Sequence, residues 1–128
     1  MKYLIDTHIL IWFGETNDRL PIRFREIIED TTNAIYVSHA SIWEMTIKMS
    51  LGKLKVIYTL AEWEKFLLAN KFTLLPTSFK HYQALQSPPF HHQDPFDRLM
   101  IAQAIAEDFT FISHDPKFSD YPVKLESF

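Results

Sequence analysis

The chain contains no cysteine, which excludes disulfides and thiolate metal sites and is compatible with a reducing compartment. No apolar run approaches the ~18 residues of a transmembrane helix. The first residues run straight into strand-like sequence, without the basic and long apolar regions of a signal peptide. A cytoplasmic protein is expected. An excess of positive charge is also missing: 13 Lys and Arg against 16 Asp and Glu leave a net charge of −3. Nucleic-acid binders usually carry a basic footprint, so the balance argues mildly against one. A bound metal and a local basic patch would reverse the sign at the site itself. Internal repeats, linkers and low-complexity segments are absent as well.

What is present is core. The 128 residues are 47% hydrophobic and 15% aromatic, enough for one sizeable core, and the expected organisation is a single domain over 1–128. Lys2–Ile5 reads as a short buried strand and Thr7–Phe13 as a turn into a first helix. Pro21 suits the first turn of a second helix reaching about Asp30. Ala34–Val37 is a second strand. Ser38 caps a helix carrying Ile42, Trp43, Met45, Ile47 and Met49, which Gly52 ends. Thr59 and Glu62 have capping-box spacing and open a helix through Asn70. Phe72–Leu75 is a third strand, Ser78–Gln86 a helix and Ser87-Pro88-Pro89 a loop. Asp94-Pro95 starts a helix whose apolar face comprises Leu99, Ile101, Ala102, Ile105 and Ala106. Phe109–Ile112 is a fourth strand. Tyr121–Leu125 is a fifth, at an edge because Pro122 lacks a ladder donor. Strands alternating with helices predict an α/β class with a parallel sheet.

Four carboxylates stand in matching settings within this pattern. Asp6 ends the first strand, Asp115 follows the fourth, and Glu44 and Asp97 lie on amphipathic helices. In a parallel α/β sheet, ligands bind at the carboxyl ends of strands near a switch in strand order. Each acid also has a plainer reading. Asp6 and Asp115 are good loop or cap residues, Glu44 has capping-box spacing from Ser41, and Asp97 suits the first turn of a helix. Four carboxylates ~5 Å apart would repel by about 3 kcal/mol per pair at an effective dielectric of ~20. Convergence therefore calls for a hard divalent cation or for protonation.

The histidines and cations are weighed separately. His91 and His92 invite a zinc reading, but adjacent side chains on an extended segment diverge and no third His stands at ligand spacing. A loop or substrate contact is the better reading. His8 and His114 each neighbour a key aspartate and are expected at the rim. Of Lys48, Lys53, Arg98 and Lys117, the best candidates for a phosphate contact are Lys48, one helical turn after Glu44, and Arg98, which follows Asp97.

The segments Leu4-Ile5-Asp6-Thr7-His8-Ile9-Leu10-Ile11-Trp12, Ser41-Ile42-Trp43-Glu44, Asp94-Pro95-Phe96-Asp97-Arg98-Leu99-Met100-Ile101-Ala102-Gln103-Ala104 and Ser113-His114-Asp115 together resemble a PIN-domain protein of the VapC toxin type. The likeness spans essentially the whole chain in order and spacing. It implies a PIN-like three-layer α/β fold, a parallel sheet flanked by helices. It implies Mg2+- or Mn2+-dependent endoribonuclease activity as the toxin of a toxin–antitoxin pair, with metal-activated water hydrolysing RNA phosphodiester bonds. By position, Asp6, Glu44, Asp97 and Asp115 match the family's catalytic, metal-binding quartet. Thr7 matches the small hydroxyl residue after the first acid. His8 stands where many relatives have Asn, and Ser113 where many have Thr. Asp94 is an additional acid of this branch, a helix cap first and a metal-site contributor second.

Three rivals stand beside this reading. A phospho-acceptor receiver domain needs an early acidic pair that the first strand lacks. A non-catalytic PIN binding module is disfavoured by the complete quartet. A housekeeping RNA-processing nuclease shares the chemistry. The partners implied are an RNA substrate, a cognate antitoxin and a second copy in a homodimer, with no membrane. The helices bearing Trp12-Phe13 and Trp43 are expected to expose apolar surface for these contacts, with the antitoxin occluding the quartet. Trp63 belongs to the same aromatic excess.

Overall fold

The computed structural model describes residues 1–87 and 94–128. Of the loop expected at Ser87-Pro88-Pro89 only Ser87 is described, as the C-cap of a helix; His91 and His92 lie outside the described residues. The strands are β1 (Lys2–Ile5), β2 (Ala34–Ser38), β3 (Thr73–Leu75), β4 (Thr110–Ile112) and β5 (Leu125–Glu126). The helices are α1 (Thr7–Gly14), α2 (Ile22–Glu29), α3 (His39–Ser50), α4 (Leu60–Ala69), α5 (Phe79–Gln86) and α6 (Pro95–Glu107), with a short 3-10 helix at Pro116–Asp120.

All strand pairs are parallel and the order is β3-β2-β1-β4-β5. The chain builds outward from β1 in one direction with β2 and β3 and in the other with β4 and β5. The switch in order therefore lies between β1 and β4, where ligand crevices open in such sheets.

Successive strand residues point to opposite faces, and the core divides accordingly. Tyr3, Ile5, Ile35, Val37 and Ile112 pack with α1, α2, α4 and Met45 of α3 on one side. Leu4 and Phe111 pack with Met100, Ile101 and Ala104 of α6 and with Phe118 on the other. The result is the expected three layers, with a sheet buried on both faces as a parallel sheet requires.

Local signals set many boundaries. The Thr59–Glu62 capping box is formed in both directions at the start of α4. Ser38 caps α3 through Ala40 N–H, and its hydroxyl donates to Gln103 Oε1 at 2.6 Å, tying the start of α3 to α6. The chain's two glycines both stand where another residue meets resistance. A Cβ on Gly14 would lie 2.6 Å from Trp63, so α1 and α4 approach closely there. Gly52, at φ +68°, takes the left-handed conformation after α3.

Two expectations shift. The fifth strand begins only at Leu125, because Tyr121 is buried under the sheet and Pro122 has no N–H for the ladder. Pairing starts beyond them, with Phe111 N–H donating to Lys124 O. The buried residues of α6 are Met100, Ile101, Ala102, Gln103 and Ala104, while Ile105 is 39% exposed. This helix packs against the sheet, α3 and α5, so burial wraps around it and a one-sided stripe does not predict it.

Candidate active site

The β1–β4 switch point carries the acids. Asp6 alone connects β1 to α1, and its N–H donates to Ile112 O at 3.0 Å, extending the β1–β4 pairing by one step. The carboxylate is pinned from both sides: Thr7 N–H donates to Oδ1 at 2.6 Å and the Ser113 hydroxyl to Oδ2 at 2.9 Å. Ser113 Oγ also accepts from Asp115 N–H at 3.1 Å, so one hydroxyl couples the two strand-end aspartates. Asp115 caps the 3-10 helix through Lys117 N–H. Asp94 caps α6, with Oδ1 accepting from Phe96 N–H and Asp97 N–H, which places Asp97 in the first turn.

Glu44 enters from the second turn of α3. Its Oε1 accepts from the Thr7 hydroxyl at 2.8 Å, and Lys48 Nζ lies 2.7 Å from Oε2. The capping-box reading of Glu44 with Ser41 does not hold. Ser41 is buried, 3.0 Å from Thr7 Oγ1, and its hydroxyl donates to Met100 Sδ. The other plain readings hold without displacing the functional one. Asp6, Asp94 and Asp115 each cap a helix, and all three face one pocket.

That pocket encloses about 460 Å³ and is lined by Asp6, Glu44, Asp94, Asp97 and Asp115, with Lys48, Arg19, His8, His114, Trp12 and Pro116 around them. Thr7 and Ser113 sit behind the acids as hydrogen-bond partners. Lys48 is part of the wall; Arg98 follows Asp97 on α6 and is not. Arg19, in the turn before α2, had no signal in the sequence: only the fold brings it to the rim. His8 and His114 are exposed rim residues, as expected. Lys53 belongs to a smaller neighbouring cavity.

The electrostatics follow from crowding. Burial pushes the Asp97 carboxyl up to about 7, reinforced by the carboxylates of Asp6, Asp94, Glu44 and Asp115. Burial also raises Asp6, against the hydrogen bond from Ser113. The Lys48 ammonium is held above its ordinary range by its bond to Glu44 and by the charges of Asp94 and Asp97. The donors that face the pocket are carboxylate oxygens, the set that Mg2+ and Mn2+ take. Among the described residues, no group of three or more His, Asp or Glu side chains stands ready to hold a metal ion directly. Both oxygens of Glu44 and both of Asp6 are already hydrogen-bonded. Mg2+ keeps several waters and takes few direct carboxylates, so this donor set suits a cation held partly through water.

The aromatic residues divide. Phe13 and Trp63 are buried, and Trp12 is half-buried among the rings of His8, His114 and Phe128. The expected exposed patch at Trp12-Phe13 is absent, because Trp12 packs toward His114 and Phe128 while Phe13 packs against Phe66 of α4 and Phe72. Trp43 is 62% exposed, edge-on to Phe96. No helix among the described residues is long and apolar enough to cross a membrane.

A family model for the PIN domain matches residues 3–124. No curated protein matches the sequence. Among solved structures, the chain is similar to VapBC2 from Rickettsia felis bound to a DNA fragment from its promoter, at 19% identity and a TM-score of 0.70, covering 99% of this chain and 98% of that one. It is similar to DNA-bound VapBC from Salmonella typhimurium, at 15% identity and a TM-score of 0.66, covering 99% and 98%. A domain of a functionally unknown protein from Methanocaldococcus jannaschii aligns at 13% identity and a TM-score of 0.62, covering 99% and 90%. With a family match over nearly its whole length, the chain belongs to the PIN-domain family.

Proposed function

We propose that this chain is a Mg2+- or Mn2+-dependent endoribonuclease and the toxin of a toxin–antitoxin pair, acting in the cytoplasm as a single PIN-like unit. The observation that carries the reading is the convergence of Asp6, Glu44, Asp97 and Asp115 on one pocket, crowded enough to push Asp97 to about 7. Membership of the PIN family and the likeness to VapBC structures support it.

The roles follow from the contacts. Asp6, Glu44, Asp97 and Asp115 hold the cation, with Asp94 contributing charge while it caps α6. When bound, the cation supplies an acidified water and neutralises the phosphoryl and leaving oxygens. Thr7 and Ser113 fix the directions of Glu44 and Asp6. Lys48 and Arg19, at the pocket wall, draw the substrate phosphates toward a region that otherwise repels them. Arg98, which follows Asp97 outside the pocket wall, is assigned as a second phosphate contact by its place in sequence. No side-chain nucleophile is needed.

Partners follow from the apolar surface that remains. A groove of about 670 Å³ between α3, α4 and β3 is lined by Ile42, Met45, Leu60, Trp63, Leu67 and Leu68 among others, and exposed Trp43 lies on the same helix α3. We assign these surfaces to the antitoxin and to a second copy in a homodimer. The decisive experiment is cleavage of a panel of cellular RNAs with Mg2+, with and without Asp6→Asn. Cleavage lost in the variant and in EDTA is expected; undiminished cleavage in EDTA overturns the mechanism. Sedimentation and a pull-down with the product of the neighbouring gene test the partner assignments.

A further inference from the structure

The acid pocket carries its own cation. Lys48 Nζ contacts Glu44 Oε2 at 2.7 Å, and the Thr7 hydroxyl takes Oε1, so both oxygens of Glu44 are engaged inside the protein. The two partners differ in freedom. The Glu44 side chain is 5% exposed and fixed, whereas the Lys48 side chain is 38% exposed, so its long stem can carry the ammonium outward without disturbing the core. Lys48 also borders a second cavity of about 170 Å³, with Thr7, His8, Ile11, Lys53 and Leu54. A divalent cation takes a carboxylate oxygen at about 2 Å. An ammonium hydrogen-bonded to that oxygen occupies the approach and repels a second positive charge.

We propose that Lys48 is a resident counter-cation that competes with the divalent metal for Glu44. In the metal-free chain it closes the pocket by neutralising Glu44. Metal entry displaces its ammonium toward the rim, where it becomes free for a substrate phosphate. The affinity of the pocket for metal is then set by this exchange as well as by the number of acids. The proposal rests on reading the quartet as a metal site.

The test is Mn2+ binding by titration calorimetry on the full chain, with melting in EDTA as a second readout. Lys48→Met keeps the stem and removes the charge; Lys48→Gln repeats the test if Met disturbs the fold. Mn2+ is expected to bind about 3- to 5-fold more tightly to the variant, the scale of a partly exposed ion pair. The melting temperature in EDTA should fall. In a Glu44→Gln background the same change should leave Mn2+ affinity unaltered. Equal affinities for wild type and Lys48→Met overturn the proposal and leave the metal reading standing. So does the same tightening in both backgrounds, because it would mean a diffuse charge effect in place of competition at Glu44. Failure of both proteins to bind millimolar Mn2+ overturns the metal reading and this proposal together.

Discussion

The two ends of α6 carry acids with opposite fates. At the N-terminal end, Asp97 sits where the helix dipole favours a negative charge, yet its carboxyl is pushed up to about 7. At the C-terminal end, Glu107 sits where the dipole disfavours one, yet its carboxyl is held below the ordinary range. The dipole loses at both ends, and the neighbours decide. Lys80 Nζ lies 2.7 Å from Glu107 Oε1 and the buried His81 Nε2 lies 3.0 Å from it. Asp97 instead meets burial and four carboxylates. One end is an ion pair completed within the chain. The other is left short of positive charge, a condition that a structural role does not explain and a cation from outside would relieve.

Breaking the N-terminal end has the largest expected effect. Asp97→Asn and Asp6→Asn keep shape and remove charge, and Mg2+-dependent RNA cleavage should fall by at least about 100-fold, the scale of removing one preorganised electrostatic group. Circular dichroism should show the fold kept. Glu107→Gln, at the other end of the same helix, should leave cleavage unchanged; a comparable loss there would erase the distinction between the two ends.

Glu107→Gln should instead act on stability. His81 is buried, and its Nδ1 accepts from Ser78 N–H, so Nε2 carries the proton and needs Glu107 as acceptor. Weakening that contact should cost about 1 kcal/mol, a fall of about 3–5 °C in melting temperature.

The smallest effect sharpens the comparison most. A carboxyl with a raised folded pKa binds more protons in the native state than in the unfolded one. Its contribution is fully present below 3.8 and is lost as the pH rises toward about 7. In EDTA, wild type should therefore lose stability relative to Asp97→Asn as the pH rises through that window, leaving the variant more stable by about 1–3 °C at pH 7.5. Millimolar Mg2+ should shrink or reverse the difference. Parallel melting curves at pH 4.5 and 7.5 would contradict the crowding of the pocket.

Much of the fold was legible because its signals are short-ranged. Asp94-Pro95, Ser38 and the Thr59–Glu62 pair announce helix starts through contacts within three residues, and the structure has each of them. The apolar runs before Asp6 and Asp115 announce strands that are buried on both faces. The fifth strand starts later than expected because Tyr121 is buried in a cluster with Leu4, Phe111, Phe118 and residues of α6, a cluster that only the fold gathers. The face of α6 was misread for a similar reason: a helix packed on several sides has no single stripe.

The acids themselves were legible as four residues in matching settings, and a resemblance over the whole chain named them together. The sequence alone determined the alternation of strands and helices, the caps, and the placing of an acid at each of those points. The strand order 3-2-1-4-5, and with it the meeting of Asp6 and Asp115 at one switch point, was decided by tertiary packing. So were the arrival of Arg19 at the rim and the bridge from Ser113 to Asp6 across 107 residues of sequence. A cap is set by a residue's own neighbours along the backbone. Which acids share one pocket depends on how distant elements cross, and only the buried apolar contacts between those elements fix that.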